Sequence, residues 1–189
     1  MTNHPSLTAD QAISRLVSGN LLYQRGEHTI GDTGADIRRR TAREGQQPWA
    51  VVIACSDSRV IPEAIFDAGV GELFVIRVAG NVIDNHQLGS IEYAASHLGV
   101  KLILVLGHTG CGAVDAAMNH DPGGYIRFIT NEIKTAIGNE QDEVRCCCLN
   151  VMHSVARIES SLEIRKLEEQ GMRVQGALYR LEDGSVEML

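Results

Sequence analysis

No stretch of this sequence approaches the roughly 20 apolar residues that a membrane span requires, and Met1-Thr2-Asn3-His4-Pro5 carries no apolar core of signal-peptide length. An excess of positive charge is missing too. With 17 Lys and Arg against 24 Asp and Glu, a formal charge of -7 and a pI near 5.5, the chain lacks the basic footprint of a nucleic-acid binder. Its one basic run, Arg38-Arg39-Arg40, falls on a helical segment and reads as a solvated face. Internal repeats and low-complexity tracts are absent. The five cysteines, in a chain without export signals, read as thiols rather than as a disulfide framework. These absences predict a cytoplasmic protein with no membrane and no nucleic-acid partner. Its 189 residues are one domain's worth, enough to bury roughly two-thirds of the unfolded surface without cross-links.

What is present is an alternation of strands and helices. Trp49-Ala50-Val51-Val52-Ile53 and Leu102-Ile103-Leu104-Val105-Leu106-Gly107 are unbroken apolar runs of the kind that parallel sheets bury on both faces. Between them, Pro62 followed by Glu63-Ala64-Ile65-Phe66 predicts a short helix. Leu73 to Val78 predicts a strand ending in Ala79-Gly80-Asn81, and His86 to Leu98 a helix stopped by Gly99. That order and spacing belongs to right-handed parallel crossovers. Helices are expected over Ala113 to Met118, Gly124 to Ile137, Leu149 to Ser161 and Leu162 to Gln170. A strand from Met172 to Tyr179 and a short edge strand from Ser185 to Leu189 close the chain. Ahead of the core, Thr8 caps an amphipathic helix reaching Gln24, with Ala12, Ile13, Leu16 and Val17 on its stripe. A Gly-rich loop then leads to a charged helix, Ala35 to Glu44, with little apolar face. The expected fold is α/β: one domain over 1–189, with a helical arm over 1–45 and a core over 46–189. The core's mostly parallel sheet has about four parallel strands plus an edge strand and is flanked by helices.

Ala54-Cys55-Ser56-Asp57-Ser58-Arg59-Val60 follows the first buried strand directly. If the extended path continues, alternation puts Cys55, Asp57 and Arg59 on one side, at a strand's carboxyl end, where such sheets keep their sites. The second buried strand runs into His108-Thr109-Gly110-Cys111-Gly112-Ala113. His108 and Cys111 fit one helical turn, and Cys111 stands near a helix N-terminus, whose positive end favours thiolate. Two Cys, one His and one Asp suit zinc better than magnesium or calcium, which prefer oxygen. Asp57 decides what kind of site this is: as a fourth ligand it closes a structural site, and held away by Arg59 it leaves one position for water. Cys146-Cys147-Cys148 point in different directions in any regular element, so they read as structural thiols rather than a second metal site.

Cys55-Ser56-Asp57-Ser58-Arg59 followed by Gly107-His108-Thr109-Gly110-Cys111-Gly112-Ala113 resembles the β-class carbonic anhydrases. The likeness extends to Leu16-Val17-Ser18-Gly19-Asn20, Gln47-Pro48, Leu73 through Asn81, Gly89-Ser90-Ile91-Glu92-Tyr93-Ala94, Gly176-Ala177-Leu178-Tyr179 and Gly184-Ser185-Val186. It covers nearly the whole chain. It implies reversible hydration of carbon dioxide to bicarbonate and a proton by a zinc-bound hydroxide, with Cys55, His108 and Cys111 as constant ligands. It also implies that Asp57 either orients the hydroxide or takes its place on the metal, and that Arg59 holds Asp57. By the same resemblance Gln46, with Gln47 competing for the role, donates to substrate oxygen from a neighbouring subunit, and the Gly112 amide lies close by. The N-terminal helices would lean across a twofold-related subunit of a homodimer or tetramer. Arg180 departs from the terminal motif, which often has an acidic residue there. Three Phe, four Tyr and one Trp leave the aromatic pocket of the plant branch unassigned. Two other readings use the same residues: a carbonyl sulfide or carbon disulfide hydrolase on this zinc, and a non-catalytic protein with a closed zinc.

Overall fold

The structure is a computed structural model that describes residues 7–189, so residues 1–5, read above for a signal sequence, lie outside the described residues. Thr8 opens the first helix as its sequence predicts: its hydroxyl accepts from the Gln11 N–H at 3.2 Å while its own N–H donates to the Gln11 side chain at 2.9 Å. This capping box starts α1 (Ala9–Gln24). α2 (Ala35–Glu44) follows, with Ile37 its one buried residue. The remaining helices are α3 (Pro62–Ile65), α4 (Asn85–His97), α5 (Gly112–Asn119), α6 (Ile126–Ile137), α7 (Glu143–Glu159) and α8 (Leu162–Glu168). None of the described helices is long and apolar enough to cross a membrane. The strands β1 (Ala50–Ala54), β2 (Leu73–Arg77), β3 (Leu102–His108), β4 (Arg173–Tyr179) and β5 (Val186–Met188) form one sheet in the order β2-β1-β3-β4-β5. Only the β4–β5 pair is antiparallel, so the sheet has the expected parallel strands and edge strand.

β1 and β3 are buried at every position because helices cover both faces of the sheet. Ala50, Val52, Ala54, Leu102, Leu104 and Leu106 face α1 and α3, packing with Ala12, Leu16, Ile65 and Phe66. Val51, Ile53, Ile103 and Val105 face α4, α7 and α8, against Ile91, Val151, Val155, Ile158 and Ile164. Each fully buried aliphatic side chain of this size contributes about 1.5–3 kcal/mol. α1 therefore packs into the chain's own core. Asn20 on that helix donates to the Gly184 carbonyl at 2.8 Å and accepts from the Val186 N–H at 3.1 Å, tying the start of the chain to its end. Val17 and Leu21, flanking Leu16 and Asn20 on α1, stay exposed.

Two local expectations change. α7 begins at Glu143 rather than near Leu149, because Asp142 accepts from the Arg145 N–H at 2.8 Å and caps the helix there. Cys146, Cys147 and Cys148 are thus helical, the first two buried and the third half-buried. Tertiary burial of Cys146, Cys147 and Val151 outweighs the modest helix propensity of the stretch. The second change is at Ala79–Asn81, which is a 3-10 turn after β2, with Gly80 at φ 67° and Asn81 at φ 47°.

Gly19, in the middle of α1, lies against the backbone of Phe66, and a Cβ at this position would collide with the Phe66 carbonyl. Replacing a mid-helix glycine by alanine normally gains about 0.5–1 kcal/mol. Here the sign reverses: Gly19→Ala is expected to lose about 1–3 kcal/mol, as overpacking does, read as a lower denaturant midpoint. An unchanged or higher midpoint would show that α1 does not press on α3 as described.

Candidate metal centre

Ala54 at the end of β1 stands opposite Leu106 of β3, so Cys55, one residue beyond β1, and His108, the last residue of β3, leave the sheet at the same edge. The chain then turns through Thr109 and Gly110, the latter at φ 63°, which favours glycine, and delivers Cys111 as the residue capping α5. One ligand atom from each of Cys55, His108 and Cys111 lies within 4.8 Å of the others, and all three residues are buried. The structure thus brings together the three residues that the two sequence motifs had grouped.

The state of these donors fits a soft divalent cation. His108 Nδ1 sits 2.8 Å from the Thr109 carbonyl, which can only accept, so Nδ1 carries the proton and the Nε2 lone pair is left free. That Nε2 is buried and meets no protein partner. The Cys111 thiol beside it holds the Cys55 thiol well below its ordinary value. The backbone N–H groups of Gly80 and Asp57 reinforce this against the effect of burial. The nearby Cys55 sulfur in turn pushes the Cys111 thiol up. A cation held here would meet both sulfurs and the Nε2 lone pair at once. Thiolates and imidazole select zinc among common divalent ions over magnesium and calcium.

Beyond Ala54 the chain is not extended, which corrects the alternation argument for Asp57 and Arg59. The Val60 N–H bonds the Asp57 carbonyl at 3.0 Å and the Arg59 N–H bonds Asp57 Oδ1 at 3.0 Å, so the segment is a tight turn. The turn itself brings the two side chains together. Arg59 Nε donates to Oδ1 at 3.0 Å and its terminal nitrogen donates to Oδ2 at 2.7 Å, a bidentate clamp. The same nitrogen donates to the Gly110 carbonyl at 3.1 Å, linking the two motifs. This guanidinium holds the Asp57 carboxyl far below the usual carboxylate range, helped by the Arg59 N–H and opposed by burial. Asp57 is not one of the three converging donors, and its Oδ2 lies 3.9 Å from His108 Nε2. It stands beside the metal position with both oxygens engaged.

Gly112 is the first residue of α5, so its N–H belongs to the unsatisfied first turn and points out of the helix end. Gln46 is exposed and precedes β1, whereas Cys55 follows it. A five-residue strand spanning about 13 Å separates them, so Gln46 does not reach the Cys55 of its own chain. Gln47 likewise lies at that far end, lining a cavity of about 280 Å³ against α2. Cys147 packs in the same apolar cluster as Cys55 and Cys111, and burial pushes its thiol up to about 12, but its sulfur is not among the three converging donors.

Two contributors escaped the sequence. The Gly80 N–H donates to Cys55 Sγ at 3.3 Å, beside the Asp57 N–H at 3.4 Å. Arg77 donates through Nε to the Cys55 carbonyl at 3.1 Å and through its terminal nitrogen to the Asp57 carbonyl at 2.7 Å. Its signal was positional: as the last residue of β2 it stands level with Ala54 in the parallel register.

The family model described as carbonic anhydrase matches residues 50–186, from β1 to the start of β5. A carbonic anhydrase of Mycolicibacterium smegmatis is 36% identical over 97% of this chain and 95% of its own length. Carbonic anhydrase 2 of Mycobacterium tuberculosis is likewise 36% identical, over 95% of this chain and 92% of its own length. Among solved structures, one of the tetrameric β-carbonic anhydrases of Sordaria macrospora superposes with a TM-score of 0.72 at 27% identity, covering 82% of this chain and 91% of that one. The Coccomyxa β-carbonic anhydrase bound to acetazolamide gives 0.73 at 26%, covering 82% and 78%. Sheet order, strand-end thiols and nearly full-length likeness converge, and the chain belongs to the β-carbonic anhydrase family.

Proposed function

We propose that this protein catalyses the reversible hydration of carbon dioxide to bicarbonate and a proton, as a zinc-dependent carbonate dehydratase, a lyase. The observation that carries the proposal is the convergence of three donors with Asp57 clamped beside them, which leaves one coordination position open. Zinc held by Cys55, His108 and Cys111 supplies a nucleophile from water near neutral pH and stabilises developing negative charge.

Asp57, kept ionised by Arg59, can only accept hydrogen bonds. It therefore fixes the orientation of a hydroxyl beside it and turns that oxygen's lone pair toward the substrate carbon. Arg59 makes this possible by occupying both carboxylate oxygens, which would otherwise be free to act as a fourth ligand. The Gly112 N–H, at the positive end of an eight-residue helix, suits the negative oxygen of the product. Gln46 cannot serve its own chain's site, so its role as a donor to substrate requires a second subunit. The tetrameric relative from Sordaria macrospora supports a homo-oligomer, dimer or tetramer, and the sparsely buried α2 and the exposed Val17 and Leu21 are surfaces available to it. Five free thiols support a cytoplasmic location.

The purified protein is expected to hold about one zinc per chain by elemental analysis and to accelerate oxygen-isotope exchange between carbon dioxide and water. Failure to accelerate exchange in the zinc-loaded protein would overturn the proposed activity. Cys111→Ser exchanges a soft thiolate for a hydroxyl and should lose the metal. Retention of a full equivalent would remove Cys111 from the ligand set.

Arg59→Ala is expected to keep zinc while activity drops about 10- to 100-fold or more, the usual cost of losing an outer partner at a metal site. Wild-type turnover in that variant would show that the clamp does not matter. Gln46→Ala, at an exposed position, should leave the melting temperature unchanged and lower kcat/KM. If Gln47→Ala produces that loss and Gln46→Ala does not, the roles of the two glutamines are exchanged.

A further inference from the structure

The turn that aims a backbone N–H at Cys55 is an unfavourable one. Gly80 and Asn81 are consecutive residues in the left-handed region, at φ 67° and 47°, and a non-glycine residue held there costs on the order of 1–3 kcal/mol. A side chain at Gly80 has no room, since its Cβ would come within 2.8 Å of Ile133 and 3.0 Å of Ala113. Such a turn persists only if its surroundings hold it. Two side chains of α7 do so, four residues apart and hence on one face: Asn150 Nδ2 donates to the Gly80 carbonyl at 2.7 Å, and Ser154 Oγ donates to the Asn81 carbonyl at 3.0 Å. Both residues are 2% exposed.

We propose that Asn150 is a positioning residue of the metal centre, acting through Gly80 on the Cys55 sulfur. Gly80 has the freest dihedrals in the turn, and its N–H and carbonyl lie on the two peptide planes that flank it. Fixing the carbonyl removes that freedom and leaves the N–H pointing at Sγ, 3.3 Å away. Asn150 gains nothing else by being an amide. Its Oδ1 is buried without a protein partner, a burden of about 1–3 kcal/mol that an apolar residue of the same size would not carry. An N–H bond to a ligating sulfur withdraws electron density from it, so the sulfur donates less and the metal becomes more electron-poor. Outer partners of this kind change metal affinity or activity by about 10- to 100-fold. The proposal rests on Cys55 being a ligand.

Cobalt(II) in place of zinc tests it, because thiolate-to-cobalt charge transfer absorbs in the near-ultraviolet and moves to longer wavelength as the sulfur becomes more electron-rich. Asn150→Ala is expected to move the band that way; because Sγ is then no longer held in place and its thiolate loses a stabilising N–H, zinc retention against a chelator should also weaken about 10- to 100-fold, positioning outweighing the gain in donor strength. Asn150→Leu, which fills the amide's volume, should do the same, so a cavity is not the cause and a folding failure of the alanine variant is covered. Ser154→Ala loosens the same turn at Asn81, whose N–H bonds the Val78 carbonyl at 2.9 Å rather than a sulfur, and should leave both readouts unchanged. An unmoved band with native zinc retention in the Asn150 variants overturns the proposal. So does an equal shift in Ser154→Ala, which would mean general loosening of the turn. Absence of any charge-transfer band in the unsubstituted cobalt protein overturns instead the assignment of Cys55 and Cys111 as ligands.

Discussion

Because β1 and β3 pair in parallel as direct neighbours, the chain brings two distant motifs together without any long loop. Ala54 opposite Leu106 sets Cys55 and His108 within one or two residues of a shared edge, and the turn through Gly110 returns Cys111 to the same point. A slip of one residue in that register would turn each side chain to the opposite face of the sheet. The register is held by burial on both faces: even-numbered residues of the two strands pack under α1 and α3, odd-numbered ones under α4, α7 and α8. The precision of the centre is thus inherited from ordinary aliphatic packing. β2 extends the logic, since Arg77 ends level with Ala54 and grips the carbonyls on either side of Ser56.

The second organising interaction is electrostatic. Cys55 and Asp57 place two potential negative charges two residues apart, and they remain separate because each has its own partner. Asp57 is committed to Arg59 through two side-chain contacts and one backbone contact. Cys55 is committed to the site by two backbone N–H groups and by Cys111. Arg59 is itself more than half exposed, with 57% of its side-chain surface open, while Asp57 shows 16%. The clamp therefore sits at the mouth of the centre, with the sulfur ligands inside and the carboxylate at the boundary.

Much of this was legible in the sequence because it depends on local pattern. Unbroken apolar runs gave β1 and β3, and the Thr8 and Gln11 spacing gave the start of α1. The two motifs gave all three buried donors. Alternation along an extended strand was the wrong reason for pairing Asp57 with Arg59, since the chain turns there, yet both geometries bring residues two apart into contact. What escaped was whatever depends on backbone conformation or on a distant element. The left-handed turn at Gly80 and Asn81 has no periodicity to read. The early start of α7 is decided by burial of cysteines whose intrinsic preference for helix is weak. Gln46 shows the converse: its position before β1 follows from sequence alone, but its distance from the Cys55 centre becomes a constraint only once the strand direction is known.

The centre also sits in a dry place, and this changes what each contact is worth. Val82, Val114, Ile133, Cys147 and Leu178 surround the two ligand cysteines in a buried cluster. In such surroundings an unpaired imidazole nitrogen and a charged sulfur are costly, because burial of a polar group without its partner is not offset by water. A cation bound there removes both costs together, so its binding free energy is also folding free energy. Cys147 lies in the same cluster, but its sulfur does not converge with the other three donors. Two of the five cysteines, Cys55 and Cys111, are set apart by backbone N–H groups and by the helix start at Cys111. The N–H groups of Asp57 and Gly80 stabilise charge on the Cys55 sulfur, and among the described residues no such pair of backbone donors meets Cys146, Cys147 or Cys148.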